Sequence, residues 1–252
     1  MRICDITNFY HEQSGGVKTY LHEKINYITR HRHDEHLVIV PGPADLIKRE
    51  GRSIFCRVKS PELPFARPYR LMVNLRRIDW LMEQFRPEVM EVGCPYLLPW
   101  AMAARRKYRC RLVGFYHSDF PRAYVRTMSR IIGKIPAALL EKGAFAYVRA
   151  MYRRMDLTLA PSLAAASALA VNGVRGVQVL PLGVDLEQFH PRRRTQRLRL
   201  RLGIPGERVV LLYVGRFARE KGLDVLQRSF AILADESPGC FHLLLVGEGD
   251  LG

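Results

Sequence analysis

The sequence predicts an α/β protein of two domains, the second of them incomplete, and three observations carry that prediction. Short apolar runs alternate with longer amphipathic segments from the first ten residues almost to the last. Several of these runs end in a glycine-bearing turn, as in "LLYVGRF" and "LLLVGEG". The pattern also restarts at Val209, after an arginine-rich connector, and then stops after strand, helix and strand. Alternation of this kind marks parallel sheets covered on both faces. In such sheets ligands bind beyond the carboxyl ends of the strands.

The expected strands are 2–6, 37–40, 53–58, 88–92, 111–116, 156–160, 177–180, 209–214 and 241–246. The expected helices are 17–31, 68–85, 96–107, 122–152, 162–172 and 221–235. Residues 1–188 read as one complete domain, 189–208 as a basic connector, and 209–252 as the opening of a second α/β domain. So short a segment cannot cover both faces of strands 209–214 and 241–246, so the second domain reads as truncated.

Composition narrows the class. Hydrophobic residues at 48% and charged residues at 25% describe a core-forming globular chain. The five cysteines, Cys4, Cys56, Cys94, Cys110 and Cys240, have no paired spacing that would suggest zinc or a disulfide framework. A reducing, cytoplasmic compartment is the expectation. The start "MRICDITNFY" turns polar too soon for a secretory leader, and no run reaches the roughly 18–20 apolar residues of a spanning helix. The net charge of +16 points to a polyanionic partner: nucleic acid, an anionic lipid surface, or phosphorylated small molecules.

Five stretches stand out, each with an ordinary alternative. "QSGGVKTY", residues 13–20, places Gly15 and Gly16 between a strand and a helix, where backbone amides and the helix dipole would meet an anion. The alternative is a plain glycine turn. "VGFYHSDFPR", residues 113–122, sets His117 and Asp119 at a strand end, His117 to hydrogen-bond a substrate and Asp119 to orient it. A satisfied histidine and a helix-capping aspartate would look the same. "VGRFAREKG" brings Gly215, Arg216 and Lys221 to a strand-to-helix turn, where two cations and a helix start would suit a diphosphate. Solvated turn charges are the alternative there.

The fourth stretch, "RRRTQRLRLR", holds six arginines between residues 192 and 201 and reads first as a solvated connector. It has no interleaved aromatic residues, which argues against nucleic acid. The fifth, residues 122–155, is basic and apolar with a single Glu, and suits either an anionic membrane surface or a helix pair packed on the domain.

Taken together these stretches resemble glycosyltransferase family 4, retaining enzymes of the GT-B fold with two Rossmann-like domains. "GGVKTY" resembles the family's glycine loop, "YHSDF" its strand-end histidine, and "VGRFAREKGLDVL" its donor-diphosphate motif. "LTLAPSLAAASAL" and "VQVLPLGVDLEQFHP" resemble the segments that close the first domain. The family's later Glu–seven residues–Glu signature does not occur in the chain, nor does the region that reads the base. The resemblance implies transfer of a sugar from a GDP- or UDP-linked donor to a hydroxyl of a lipid or glycan, with no metal or other cofactor. It leans towards GDP-mannose and implies an inactive fragment, at most peripheral at the inner membrane face. In these roles Arg216 and Lys221 would stabilise the departing diphosphate, Gly15 and Gly16 would bring amides to it, and His117 would touch the donor sugar or acceptor. A non-catalytic basic module for anionic lipid or nucleic acid is the reading from a different class. A nucleotide-sugar epimerase is a third, within the same fold.

Overall fold

The computed structural model describes residues 1–12, 15–63, 69–119, 121, 137–218 and 221–249. Its contacts divide the chain into two compact units, Met1–Gly183 and Val184–Gly252.

The first unit is an eight-stranded sheet. Strand β1 (Arg2–Ile6) lies at its centre, flanked by β2 (Glu35–Gly42) and β5 (Val89–Val92). Beyond β2 come β4 (Ser53–Lys59) and the edge strand β3 (Leu46–Glu50). Beyond β5 come β6 (Arg111–Phe115), β7 (Leu157–Ala160) and β8 (Val177–Val179). Every pairing is parallel except that of β3 with β4. The chain fills one side of β1 and then crosses to the other. The crevice beyond the carboxyl ends of β1 and β5 is therefore a topological switch point, where open α/β sheets hold their ligands.

Alternation along β1 decides what each face carries. Cys4 and Ile6 pair with Leu37 and Ile39 on one side and Met90 and Val92 on the other. These six are buried in the larger core. Helices α2 (Leu75–Phe85) and α3 (Leu98–Tyr108) cover it with Ile78, Leu81, Met82, Leu98 and Ala101. Asp5 points to the opposite face, where α1 (Gly16–His31) lays Leu21 and Ile25 against Val38, Val40 and Phe55. Helices α4 (Ala137–Tyr152) and α5 (Leu163–Val171) complete this unit, with Ser162 capping α5 by accepting from the Ala165 amide at 3.2 Å.

The second unit holds a short helix α6 (Arg197–Arg201), then β9 (Val209–Val214), α7 (Leu223–Glu236) and β10 (Phe241–Val246). The strands form a parallel pair, Val209 opposite Phe241 through to Val214 opposite Val246. Among the described residues, Ile204 is the one buried apolar side chain in this unit. Val209, Leu212, Val214, Val225, Ile232, Leu245 and Val246 remain exposed.

All nine expected strands are present, with ends moved by no more than two residues. Strand β3 has no counterpart among the expected elements. "LIKRE" is short, charged and exposed along almost its whole length, so it lacks the alternation that marks a half-buried strand. The helix expected over 68–85 starts only at Leu75, because Asn74 caps it by accepting from the Arg77 amide at 3.1 Å. Of the helix expected over 122–152, residues 137–152 are helical and 122–136 lie outside the described residues.

Candidate functional site

At the switch point, β1 runs out through Thr7 and Asn8, both buried, before the chain reaches the glycine loop. Gly15 is the N-cap of α1 with φ of +122°, a conformation that only glycine adopts without strain. No side chain caps the helix, and its first turn has no acidic residue. A Cβ at Gly15 would meet no described residue within 4 Å, and one at Gly16 would meet only Leu182, at 3.9 Å. Among the described residues nothing else crowds Gly15 and Gly16 at the start of this helix, where amide groups and the helix dipole favour an anion.

The same helix reaches the strand-end histidine. Tyr20, one turn into α1, lies 5.3 Å from the His117 ring, and Phe115 stacks on that ring at 4.0 Å with an interplanar angle of 27°. Gly93, at the end of β5, bounds it too: a Cβ there would sit 3.1 Å from His117 Cδ2. Nδ1 of His117 is buried and has no hydrogen-bond partner among the described residues. Burial lowers the His117 pKa from 6.5 to about 4, the nearby Asp5 and Lys24 acting in opposite directions. Asp119 accepts a hydrogen bond from the Tyr116 hydroxyl at 3.0 Å, and Nδ1 of His117 has no partner among the described residues.

The imidazole of His117 is expected to remain neutral from pH 8 down to about 5 and to charge only near pH 4. The native state takes up this proton less readily than the unfolded chain. The residue therefore lends stability that is present above about 6.5 and lost as pH falls towards 4. Titration of the histidine ring signals by NMR checks this, and a His117 midpoint near 6.5 would refute it.

The candidate residues of the second unit stand at the end of β9. Gly215 donates its amide to Val246 O at 3.0 Å, and Phe217 donates to Glu248 O at 2.9 Å. The Arg216 carbonyl accepts from the Tyr213 hydroxyl at 2.7 Å. Lys221 is exposed in the turn before α7, whose N-cap, Gly222, has φ of +65°. Sequence reasoning missed the support beneath this turn. A Cβ at Gly247 would lie 1.9 Å from Gly215 O, and one at Gly249 would lie 2.3 Å from Phe217 O. The two glycines of "GEG" thus allow the backbone of 215–217 to pack directly on 247–249. A glycine just past a strand was the signal available.

Also missed was a chain of polar groups between α1 and the sheet, in which Asp5, His36, Ser53 and Glu91 are buried and Tyr20 and Lys24 half-buried. Lys24 Nζ lies 2.7 Å from Asp5 Oδ1 and 2.9 Å from Glu91 Oε2. The Tyr20 hydroxyl lies 3.0 and 3.1 Å from the two Glu91 oxygens. His36 Nε2 lies 2.6 Å from Asp5 Oδ2, and its Nδ1 lies 3.2 Å from Ser53 Oγ. A lone Asp in an apolar strand, with a Lys on the covering helix, was the visible hint. Among the described residues no group of three or more His, Cys, Asp or Glu is placed to hold a metal ion. Nor is any described helix long and apolar enough to cross a membrane.

Comparison with known proteins gives the fold and the family. Sucrose-phosphate synthase from Thermosynechococcus elongatus superposes with a TM-score of 0.69 at 17% identity, over 98% of this chain and 62% of that one. The Anabaena protein HepE in complex with UDP-glucose superposes with a TM-score of 0.63 at 18% identity, over 98% and 61%. The fold is GT-B, that of a large class of glycosyltransferases. The family model of glycosyltransferase family 4 matches residues 14–188, more than half of the chain, and the chain belongs to that family. A GDP-mannose-dependent alpha-mannosyltransferase of Corynebacterium glutamicum is 24% identical over 99% of this chain and 58% of its own length. The chain spans about three fifths of the curated relatives of that kind, between 58% and 64% of each.

Proposed function

We propose that this chain supplies the acceptor-side domain and the start of the donor-side domain of a retaining glycosyltransferase. It would transfer mannose from GDP-mannose to a hydroxyl of a lipid or glycan acceptor. The observation that supports this reading is the convergence, at one switch point, of the glycine-started helix and a half-buried histidine held neutral. The choice of mannose and of GDP rests on the relatives, whose printed names specify GDP-mannose.

The roles follow from charge. Departure of a nucleoside diphosphate develops negative charge on phosphate oxygens, and fixed donors aimed at it lower the barrier. Arg216 and Lys221 would supply that charge, arginine as a fork and lysine as a point cation, with Gly215 letting the backbone approach. Gly15 and Gly16 would offer helix-start amides. His117, held neutral by burial, would hydrogen-bond a hydroxyl of the donor sugar or acceptor rather than act as a charged acid. Asp119, whose carboxylate accepts from the Tyr116 hydroxyl, would border the same site two residues beyond His117. Protein cations would then take the place of a metal ion.

Calorimetric titration of the chain with GDP, UDP and inorganic phosphate tests the donor assignment. Binding of GDP and UDP, with free phosphate weaker than both, supports it. Indifference between the nucleotides and free phosphate would overturn it.

A second reading concerns the membrane. Arg77 packs 4.4 Å over the ring of Trp80, which is 44% exposed on α2, and Arg105, Arg106 and Lys107 end α3. Exposed aromatic and basic side chains on neighbouring helices suit an anionic interface, where the acceptor would be a lipid. Salt-sensitive binding to anionic but not neutral vesicles would support it.

A further inference from the structure

We propose that Tyr20, pinned by Glu91 and Lys24, is a positioning residue that sets the orientation of the His117 ring. The inference rests on the reading of His117 as a site residue and adds how that residue is held.

A histidine that acts on a ligand through one nitrogen is ordinarily oriented by a hydrogen bond at the other. Nδ1 of His117 is buried and has no such partner among the described residues. Packing must do the orienting instead. Phe115 and Gly93 belong to the sheet and form fixed parts of the enclosure. Tyr20 is the wall contributed by α1, and its ring also meets Phe115 edge-on at 5.3 Å.

What holds Tyr20 is polar and buried. Both Glu91 oxygens lie within 3.1 Å of its hydroxyl, and Lys24 Nζ lies 3.4 Å away. Lys24 in turn bridges Glu91 to Asp5, and Asp5 is held by His36, which Ser53 meets from β4. Asp5 and Glu91 are direct neighbours across β1 and β5, so the lysine between them also relieves the repulsion of two carboxylates. Burying three charges is expensive, and an apolar set of the same shape would stabilise the fold at least as well. What the charges add is direction. A phenylalanine at position 20 would fill the space but would be free to slide, whereas the hydroxyl ties the ring to one point on the sheet. Because Tyr20 and Lys24 lie one turn apart on the helix that begins at Gly16, the same device registers the glycine loop against His117.

The test uses the whole chain with isotope-labelled histidine, the His117 ring signals being identified by their loss in His117→Gln. In Tyr20→Leu and in Glu91→Leu these signals are expected to move towards those of a free imidazole, and the His117 titration to rise from about 4 towards 6.5. Glu91→Gln still accepts from the hydroxyl, so its His117 shifts should stay near the wild-type positions. Unchanged His117 signals in both leucine variants, with native circular dichroism, would overturn the proposal. Should Tyr20→Leu fail to fold, Tyr20→Phe decides. Loss of the hydroxyl alone moves the His117 signals if the inference holds and leaves them in place if it does not. The donor reading is tested by nucleotide titration of the whole chain, which does not read the His117 signals, so either can fail without the other.

Discussion

Replacing Lys24 by methionine is expected to cost about 3–5 kcal/mol of stability at neutral pH, the loss typical when one partner of a buried ion pair is removed. The ammonium group touches Asp5, 2% exposed, and Glu91, 9% exposed, both within 2.9 Å. Methionine keeps the volume of the stem but leaves two carboxylates side by side in the interior. The pH dependence gives the effect its signature. In the intact chain burial would raise the Asp5 carboxyl, yet Lys24 and His36 hold it down to about 2. Its contribution is therefore present above the ordinary value of 3.8 and lost as pH falls through 2. Glu91 goes the other way: burial and the charge of Asp5 raise it above 4.5, so it lowers stability as pH rises through its native value.

Without Lys24 both carboxyls take up protons more readily, so the deficit should be largest near pH 7 and shrink towards pH 4.5. Urea unfolding of both proteins at several pH values measures this. A deficit under about 1 kcal/mol that does not vary with pH would mean that the network contributes nothing beyond a surface ion pair. Joint replacement of Lys24, Asp5 and Glu91 by apolar residues of matching volume should recover most of the loss.

The double variant Arg216→Ala, Lys221→Ala is expected to weaken nucleoside diphosphate binding by about two to four orders of magnitude. A hydrogen bond to a charged group contributes about 1.5–3 kcal/mol, or roughly a ten- to hundredfold change per cation. Lys221 is exposed and alanine at 216 keeps the carbonyl that accepts from Tyr213, and circular dichroism of the double variant checks that the fold is retained. Calorimetry with GDP on the wild-type and double-variant chains is the measurement, repeated at two salt concentrations. The lost affinity should be smaller at high salt, because the cations are screened there in the wild type as well. Equal affinity in the two proteins would remove both residues from the donor site.

The strand-ending glycines, the restart at Val209 and the cation pair are legible in the sequence alone, because all depend on neighbours close along the chain. Periodicity and turn chemistry report on such local features directly. Strand β3 is not legible there, because a charged, exposed edge of five residues carries no burial pattern. The late start of α2 hangs on one capping asparagine.

The site divides along the same line. By itself the sequence determined the α/β class and family, and singled out Gly15, Gly16, His117, Asp119, Gly215, Arg216 and Lys221, because each sits in a short motif whose spacing has chemical meaning. Only the tertiary structure decided that Asp5, His36, Lys24, Glu91 and Tyr20 form one buried chain, and that this chain ends on His117. The physical reason is distance along the chain. Asp5 and Glu91 are 86 residues apart and become neighbours only when β5 crosses to the free side of β1. A lysine on an amphipathic helix reads as solvated until the sheet beneath it is known to carry two carboxylates.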